Sequence, residues 1–199
     1  MSTGWPATLR EGPMELRPIR RRDVGAWREV RAANATWLAR WEATPPEGAP
    51  AEVSFAAMVR FLRAEARGGR MLPWVVTYDG RLVGQLTVGS ITMGSLRSGQ
   101  VGYWIDSRFA GRGIIPTAVA LAVDHGFRVV GLHRAEVNIR PENAASLRVA
   151  EKLGFRDEGL RPRLLHIDGA WRDHRSFAIT AEEVPEGLLV RWRRAQALH

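Results

Sequence analysis

The stretch from Val101 to Phe127 constrains this chain most, because a strand, a glycine-rich bend and a helix follow one another in it without a break. Val101-Gly-Tyr-Trp-Ile-Asp106 is β-branched and aromatic, as strands are, and Ile114 to Phe127 carries alanine, leucine and valine at helical spacing. Gly111 and Gly113 stand in the bend between them. Glycine accepts backbone angles that a Cβ forbids, and it lets main-chain N–H groups come close to a ligand. At a helix start those N–H groups lack partners and face the positive end of the helix dipole, so such a turn suits phosphate. Pro116 agrees, since the first helical turn can spare an N–H. The bend is not a dinucleotide fingerprint, which needs a third glycine, nor a nucleoside-triphosphate loop, which needs Gly-Lys-Ser/Thr.

A second block lies downstream: Arg140-Pro-Glu-Asn143-Ala-Ala-Ser146, running on to Glu151-Lys-Leu-Gly-Phe155. Together with Arg108-Phe-Ala-Gly111-Arg112-Gly113 it resembles the two ordered motifs of the GNAT acetyltransferase superfamily. The Gly-Tyr-Trp-Ile-Asp and Pro-Glu-Asn-Ala-Ala-Ser strings look most like the Rim-type ribosomal-protein N-terminal acetyltransferases. The resemblance covers essentially the whole chain and implies an α/β GNAT fold, a mixed and mostly antiparallel sheet flanked by helices. It also implies acetyl-CoA as cosubstrate and direct attack by an amine in a ternary complex.

By that resemblance, main-chain donors of Gly111, Arg112, Gly113 and Ile114 hold the pyrophosphate, with Arg108 and Arg112 adding charge. Trp104 and Ile105 border the pantetheine arm as an added strand would. Asn143 hydrogen-bonds that arm, and Ser146 donates a proton to the departing thiolate. Read from the residues alone, Asn143 is equally a helix cap and Ser146 a polar surface residue. Many relatives have a tyrosine acid one turn after the serine, where this chain has Ala150. Glu136 matches a carboxylate base of some relatives, and an ion pair with a nearby arginine is its other reading. Rim-type relatives place a glutamate where Leu165 falls here, so His166, Asp168, Asp173 or water stand in as further candidates for the base. An α-amino group, with pKa about 7.7 to 8.0, is partly neutral near pH 7 and asks little of a base. Trp37, Trp41 and Trp171 are candidates for the acceptor pocket, with core packing as their alternative.

Composition narrows the chemistry further. There is no cysteine, so disulfides, thiolate metal sites and an acyl-cysteine intermediate are excluded. The five histidines show no metal-ligand spacing, and no metal is expected. The charge is +8, from 28 arginines and the single lysine Lys152 against 21 acids. An excess carried by arginine suits phosphate and carboxylate partners and disfavours polycationic substrates such as polyamines. Only Arg20–Arg22 and Arg191–Arg194 are clustered, so no specific nucleic-acid binding is expected. No signal-peptide core or membrane-length apolar run occurs, making the cytoplasm the expected compartment. The favoured acceptor is the N-terminal amine of a protein, a ribosomal one among the candidates. A small-molecule amine is the alternative, and a non-catalytic module binding CoA or RNA is another. Ribosome association and a homodimer, through the terminal segment or a sheet edge, are left open.

At 199 residues one domain is expected, 1–199, with 184–199 as a tail of helical pattern. Strands are expected at 14–19, 73–78, 82–91, 101–106, 135–139, 155–160 and 175–179, with turns at Asp79-Gly80 and Asp168-Gly169. Helices are expected after a cap at Asp23, over 34–42, over 52–66 and over 143–153, with a loop at 44–50.

Overall fold

A computed structural model describes residues 3–48 and 53–197. Its centre is an eight-stranded sheet: β1 (Leu9–Glu11), β2 (Met14–Pro18), β3 (Leu72–Tyr78), β4 (Arg81–Thr92), β5 (Ser98–Ile105), β6 (Arg134–Ile139), β7 (Arg156–Ile167) and β8 (Ala170–Thr180). The order is β1-β2-β3-β4-β5-β6-β8-β7, and β5 with β6 is the one parallel pair. Among the described residues six α-helices accompany it: α1 (Val24–Ala33), α2 (Ala35–Ala39), α3 (Phe55–Arg67), α4 (Ile114–His125), α5 (Ala144–Leu153) and α6 (Leu188–Ala197). This is the mixed, mostly antiparallel sheet that the sequence implies. No helix among the described residues is long and apolar enough to cross a membrane.

Alternation along the strands builds two cores, because successive side chains leave opposite faces of a sheet. Leu72, Trp74 and Val76 of β3 join α4, α5 and α6 in the larger core, while Val75 between them joins Phe55, Val59 and Leu62 of α3 in the smaller one. Both hairpin turns adopt left-handed backbone, Asp79-Gly80 at φ 47° and 74° and Asp168-Gly169 at 49° and 73°. Such paired positive angles match the twist of two antiparallel strands.

Several boundaries differ from the sequence reading. β7 and β8 run to 12 and 11 residues and form a long arched hairpin. The outer part of β8 alternates, with Trp171 and Asp173 exposed and His174 buried, but the first eight residues of β7 are all exposed, so no buried period marks that strand. β1 is too short to show a period. Asp23 does not cap α1 through its side chain. Its carboxylate instead accepts the Arg20 N–H (2.7 Å) and two bonds from the Arg17 guanidinium (2.8 Å each), because a 3₁₀ turn intervenes before the helix. The third helix starts at Phe55, with Ser54 Oγ accepting the Ala57 N–H, and the expected positions 49–52 lie outside the described residues. Residues 188–197 form a helix whose Leu188 and Trp192 are buried in the larger core.

Candidate active site

The parallel pair is short, and that opens the site. β5 and β6 are in register only at Ser98–Arg134, Gly99–Ala135 and Gln100–Glu136. Beyond Gln100 the strands part, while β4 stays paired with β5 as far as Ile105 and β8 with β6 as far as Ile139. Tyr103, Trp104 and Ile105 therefore keep one strand edge without a partner strand. A free edge is a ready template for an extended, amide-bearing ligand.

The chain then turns through Ser107–Phe109 into the glycine bend. Gly111 (φ 80°) and Gly113 (φ 75°) are both left-handed, and Gly113 is the N-cap of α4. Among the described residues no hydrogen bond is donated by the main-chain N–H of Gly111, Arg112, Gly113, Ile114 or Ile115. The bend is held from behind: Trp192 Nε1 donates to Thr117 Oγ1 (2.9 Å), and Thr117 Oγ1 donates to Gly113 O (2.8 Å). In front, Asn34 is buried and pins the bend to the α1–α2 joint. Its Oδ1 accepts the Ser107 N–H (2.9 Å), and its Nδ2 donates to Val30 O (2.9 Å).

A cavity of about 250 Å³ follows from this arrangement. Its walls include Trp104, Ile105, Gly111, Gly113, Ile114, Asn143 and Ser146, together with Trp37 and Trp41. The structure thus brings most of the residues singled out in sequence to one place. Asn143 serves as the N-cap of α5, its Oδ1 accepting the Ser146 N–H (3.1 Å), which leaves its amide nitrogen free to donate into the cavity. Trp41 lies between the guanidinium groups of Arg40 (5.2 Å) and Arg140 (5.4 Å), and Arg140 also donates to Arg40 O (2.8 Å). Glu42, the one carboxylate among the described residues of this wall, is bound by both terminal nitrogens of Arg31, whose guanidinium stacks on Trp27 and Trp104.

Other candidates stand elsewhere. Arg108 is turned back onto Asp106, a carboxylate 1% exposed, with contacts of 2.5 to 3.0 Å. That guanidinium holds the Asp106 carboxyl below the usual carboxylate range, and the pair braces the bend from outside the cavity wall. Arg112 lies over the Phe109 ring. Glu136 is 13% exposed and paired with Arg134 (2.7 Å) and Arg161 (3.8 Å), so it is not brought beside Ser146. Trp171 is half exposed on the β7–β8 hairpin, edge-on to His166, whose Nδ1 meets Thr44 Oγ1 at 2.9 Å. Asp173 accepts the Arg163 N–H (2.8 Å), and Asp168 occupies the hairpin turn. Leu165 lines a second cavity.

Four residues that sequence reasoning passed over contribute to the site. Arg148 and Lys152, one turn apart on α5, stand on the cavity wall as cations suited to phosphate. Their spacing was the available signal. Tyr103 lines this cavity and the two beside it, and its buried hydroxyl has no hydrogen-bond partner. Burial pushes its pKa up to about 12 against a smaller opposing influence from the Ser146 hydroxyl, and the two hydroxyls do not meet in hydrogen-bond geometry. His174 is buried on β8 against the third cavity. Nothing local in the sequence foretells either burial.

A profile of the acetyltransferase (GNAT) domain matches residues 14–156. The chain belongs to the GNAT acetyltransferase family. Its fold superposes on the structure titled Mycobacterium smegmatis RimJ in complex with CoA-disulfide with a TM-score of 0.90 and 46% identity, covering 97% of this chain and 96% of that one. It is 41% identical to the Bacillus subtilis probable N-acetyltransferase YjcK over 101 residues, covering 51% of this chain and 56% of the relative. It is 31% identical to the Escherichia coli [ribosomal protein uS5]-alanine N-acetyltransferase over 106 residues, covering 53% of this chain and 55% of the relative. The matched region thus spans about half the length of these two curated relatives.

Proposed function

We propose that this protein transfers an acetyl group from acetyl-CoA to the N-terminal amine of a protein, a ribosomal protein being the favoured class. The residues fit the cosubstrate: bare N–H groups at Gly111–Ile115 and the cations Arg148 and Lys152 suit its phosphates. The free edge at Tyr103–Ile105 suits its amide-rich arm, and the unpartnered Tyr103 hydroxyl is a buried donor awaiting an acceptor. When bound, acetyl-CoA supplies an acetyl thioester. Trp37 and Trp41 shield that end of the cavity from water, Asn143 Nδ2 donates to the arm, and Ser146 Oγ holds the proton that the leaving sulfur requires.

The observation that carries the acceptor choice is the second cavity, of about 400 Å³. It meets the first at Tyr103 and Trp104. Gln85, Thr87, Ser90, Gln100 and Asn138 give it neutral donors and acceptors, Gly89 and Gly102 leave its floor open, and no carboxylate among the described residues lines it. A polyamine needs several carboxylates, whereas the end of an extended peptide needs neutral hydrogen-bonding groups. The relation to RimJ and to the uS5-alanine enzyme supports the same acceptor class.

Intact-mass measurement after incubation with acetyl-CoA and peptides beginning in alanine or serine tests this reading. One added acetyl group on the peptide is expected. Unmodified peptides with turnover on a small amine would overturn the acceptor choice, and no thiol release from any amine would overturn catalysis.

A further inference from the structure

Acetylation of an alkylammonium by a thioester releases one proton net: the nitrogen begins with three, the amide keeps one, and the thiol product takes one. The carboxylates first considered for that proton are engaged or stand at the hairpin turn: Glu136 is paired with two arginines, Asp173 accepts the Arg163 N–H, and Asp168 occupies the turn. His166 lines none of the three cavities.

A third cavity, of about 210 Å³, lies where β5 and β6 have parted. Tyr103, Asn138, Arg140, Asn143, Ser146 and His174 give its wall a polar majority, beside the apolar Trp41, Val101, Val137 and Ile139. At about 30 Å³ per water in the liquid, it has room for several waters with partners on every side. Tyr103 Oη and Ser146 Oγ stand at the end shared with the candidate active site. His174 is only 3% exposed, and its Nδ1 lies 3.0 Å from Arg172 O. A carbonyl accepts only, so Nδ1 carries the proton and Nε2 keeps a lone pair. Nε2 has no hydrogen-bond partner among the described residues, yet it is not a sealed atom as Tyr103 Oη is.

We propose that His174 Nε2 accepts the proton shed by the acceptor amine, relayed by water through this cavity, and passes it on to solvent. The proposal rests on the acyl-transfer reading above. The ionisable groups around the ring are Asp173 beside it on β8, Arg161 opposite it on β7, Arg140 and Glu142 beyond the end of β6, and Tyr103 on β5. Burial is the largest influence, and with Arg140 it outweighs the Arg172 carbonyl, Glu142 and Asp173 and draws the imidazole below its ordinary range. His174 is therefore neutral at pH 7, with a vacant site for a proton.

His174→Ala and His174→Gln test the assignment. The expected loss in kcat/KM for peptide at pH 7 is about tenfold to a hundredfold, at or below the lower end of general-base effects because an α-amine is already partly neutral. The acetyl-CoA-induced rise in melting temperature should stay as in the wild type. Added imidazole should restore turnover to His174→Ala in proportion to its unprotonated form, a response that a packing role would not give. Turnover within twofold of wild type in both variants would overturn the proposal, as would a loss that imidazole leaves unchanged. Nitrogen-15 spectra of the intact wild type decide the point without turnover: a protonated Nδ1 and bare Nε2 are expected at pH 7, and the opposite tautomer overturns it. A wild type that releases no thiol with any amine but shows the expected tautomer sinks the acyl-transfer reading and the proton role built on it, whereas an active wild type with indifferent variants sinks only the role of His174.

Discussion

The half of the molecule around the glycine bend and the half around the β7–β8 hairpin are built by different means. The first is made of backbone: left-handed glycines, a free strand edge and a helix start, backed by a dry core in which Ala118, Val119, Ala120 and Ala122 of α4 are fully buried. The second is made of side chains converging from distant positions. Arg134 joins Glu158, Glu158 joins Arg156, and Arg156 joins Glu183. Backbone sites demand particular residues at fixed offsets, whereas converging side chains tolerate many arrangements. One half is therefore suited to a constant ligand and the other to a variable one.

The sharpest blow to the first half should come from α6. Trp192→Ala removes a buried ring and the donor to Thr117, and should cost about 3–5 kcal/mol of stability, read by denaturant unfolding. Gly111→Val should act on the local shape of the bend, and through it on binding, with little effect on the rest of the fold. A Cβ there meets nothing within 4 Å, so the penalty is the φ of 80° alone, worth about 1–3 kcal/mol. Calorimetry should show acetyl-CoA affinity reduced about tenfold to a hundredfold, by the same conversion.

The hairpin half should respond to acid. Arg134 and Arg156, set against the cost of burial, hold Glu158 down to about 2 from an ordinary value of 4.5. A depressed carboxylate stabilises the fold fully above its unfolded pKa, and this contribution fades as pH falls from about 4.5 toward about 2. Glu158→Gln should flatten the melting temperature against pH in that window, lowering it at pH 7, where the contribution is whole, and changing it little near pH 2. Least of all should come from Trp171→Ala, a half-exposed ring whose loss should stay within about 0.5 kcal/mol. A large stability loss there would erase the contrast between the halves.

The same contrast explains what could be read from the sequence. Glycines 111 and 113, Asn143 and Ser146 were legible because a backbone site writes itself in local spacing. Trp37 and Trp41, read as acceptor-pocket candidates, line the first cavity, whereas Trp171 stands on the hairpin, since aromatic character alone does not say which face a residue takes. Arg108 read as a phosphate cation, yet Asp106, two residues before it, claims the guanidinium. Tyr103 and His174 went unseen because their importance arises from burial between strands that are more than 70 positions apart and not adjacent in the sheet.

Amide hydrogen exchange with and without acetyl-CoA tests the backbone site most directly. The account predicts slowed exchange at Tyr103–Ile105 and Gly111–Ile115 together, with the β7–β8 hairpin little changed. Binding that left both segments exchanging as before, or that slowed only the hairpin, would contradict it.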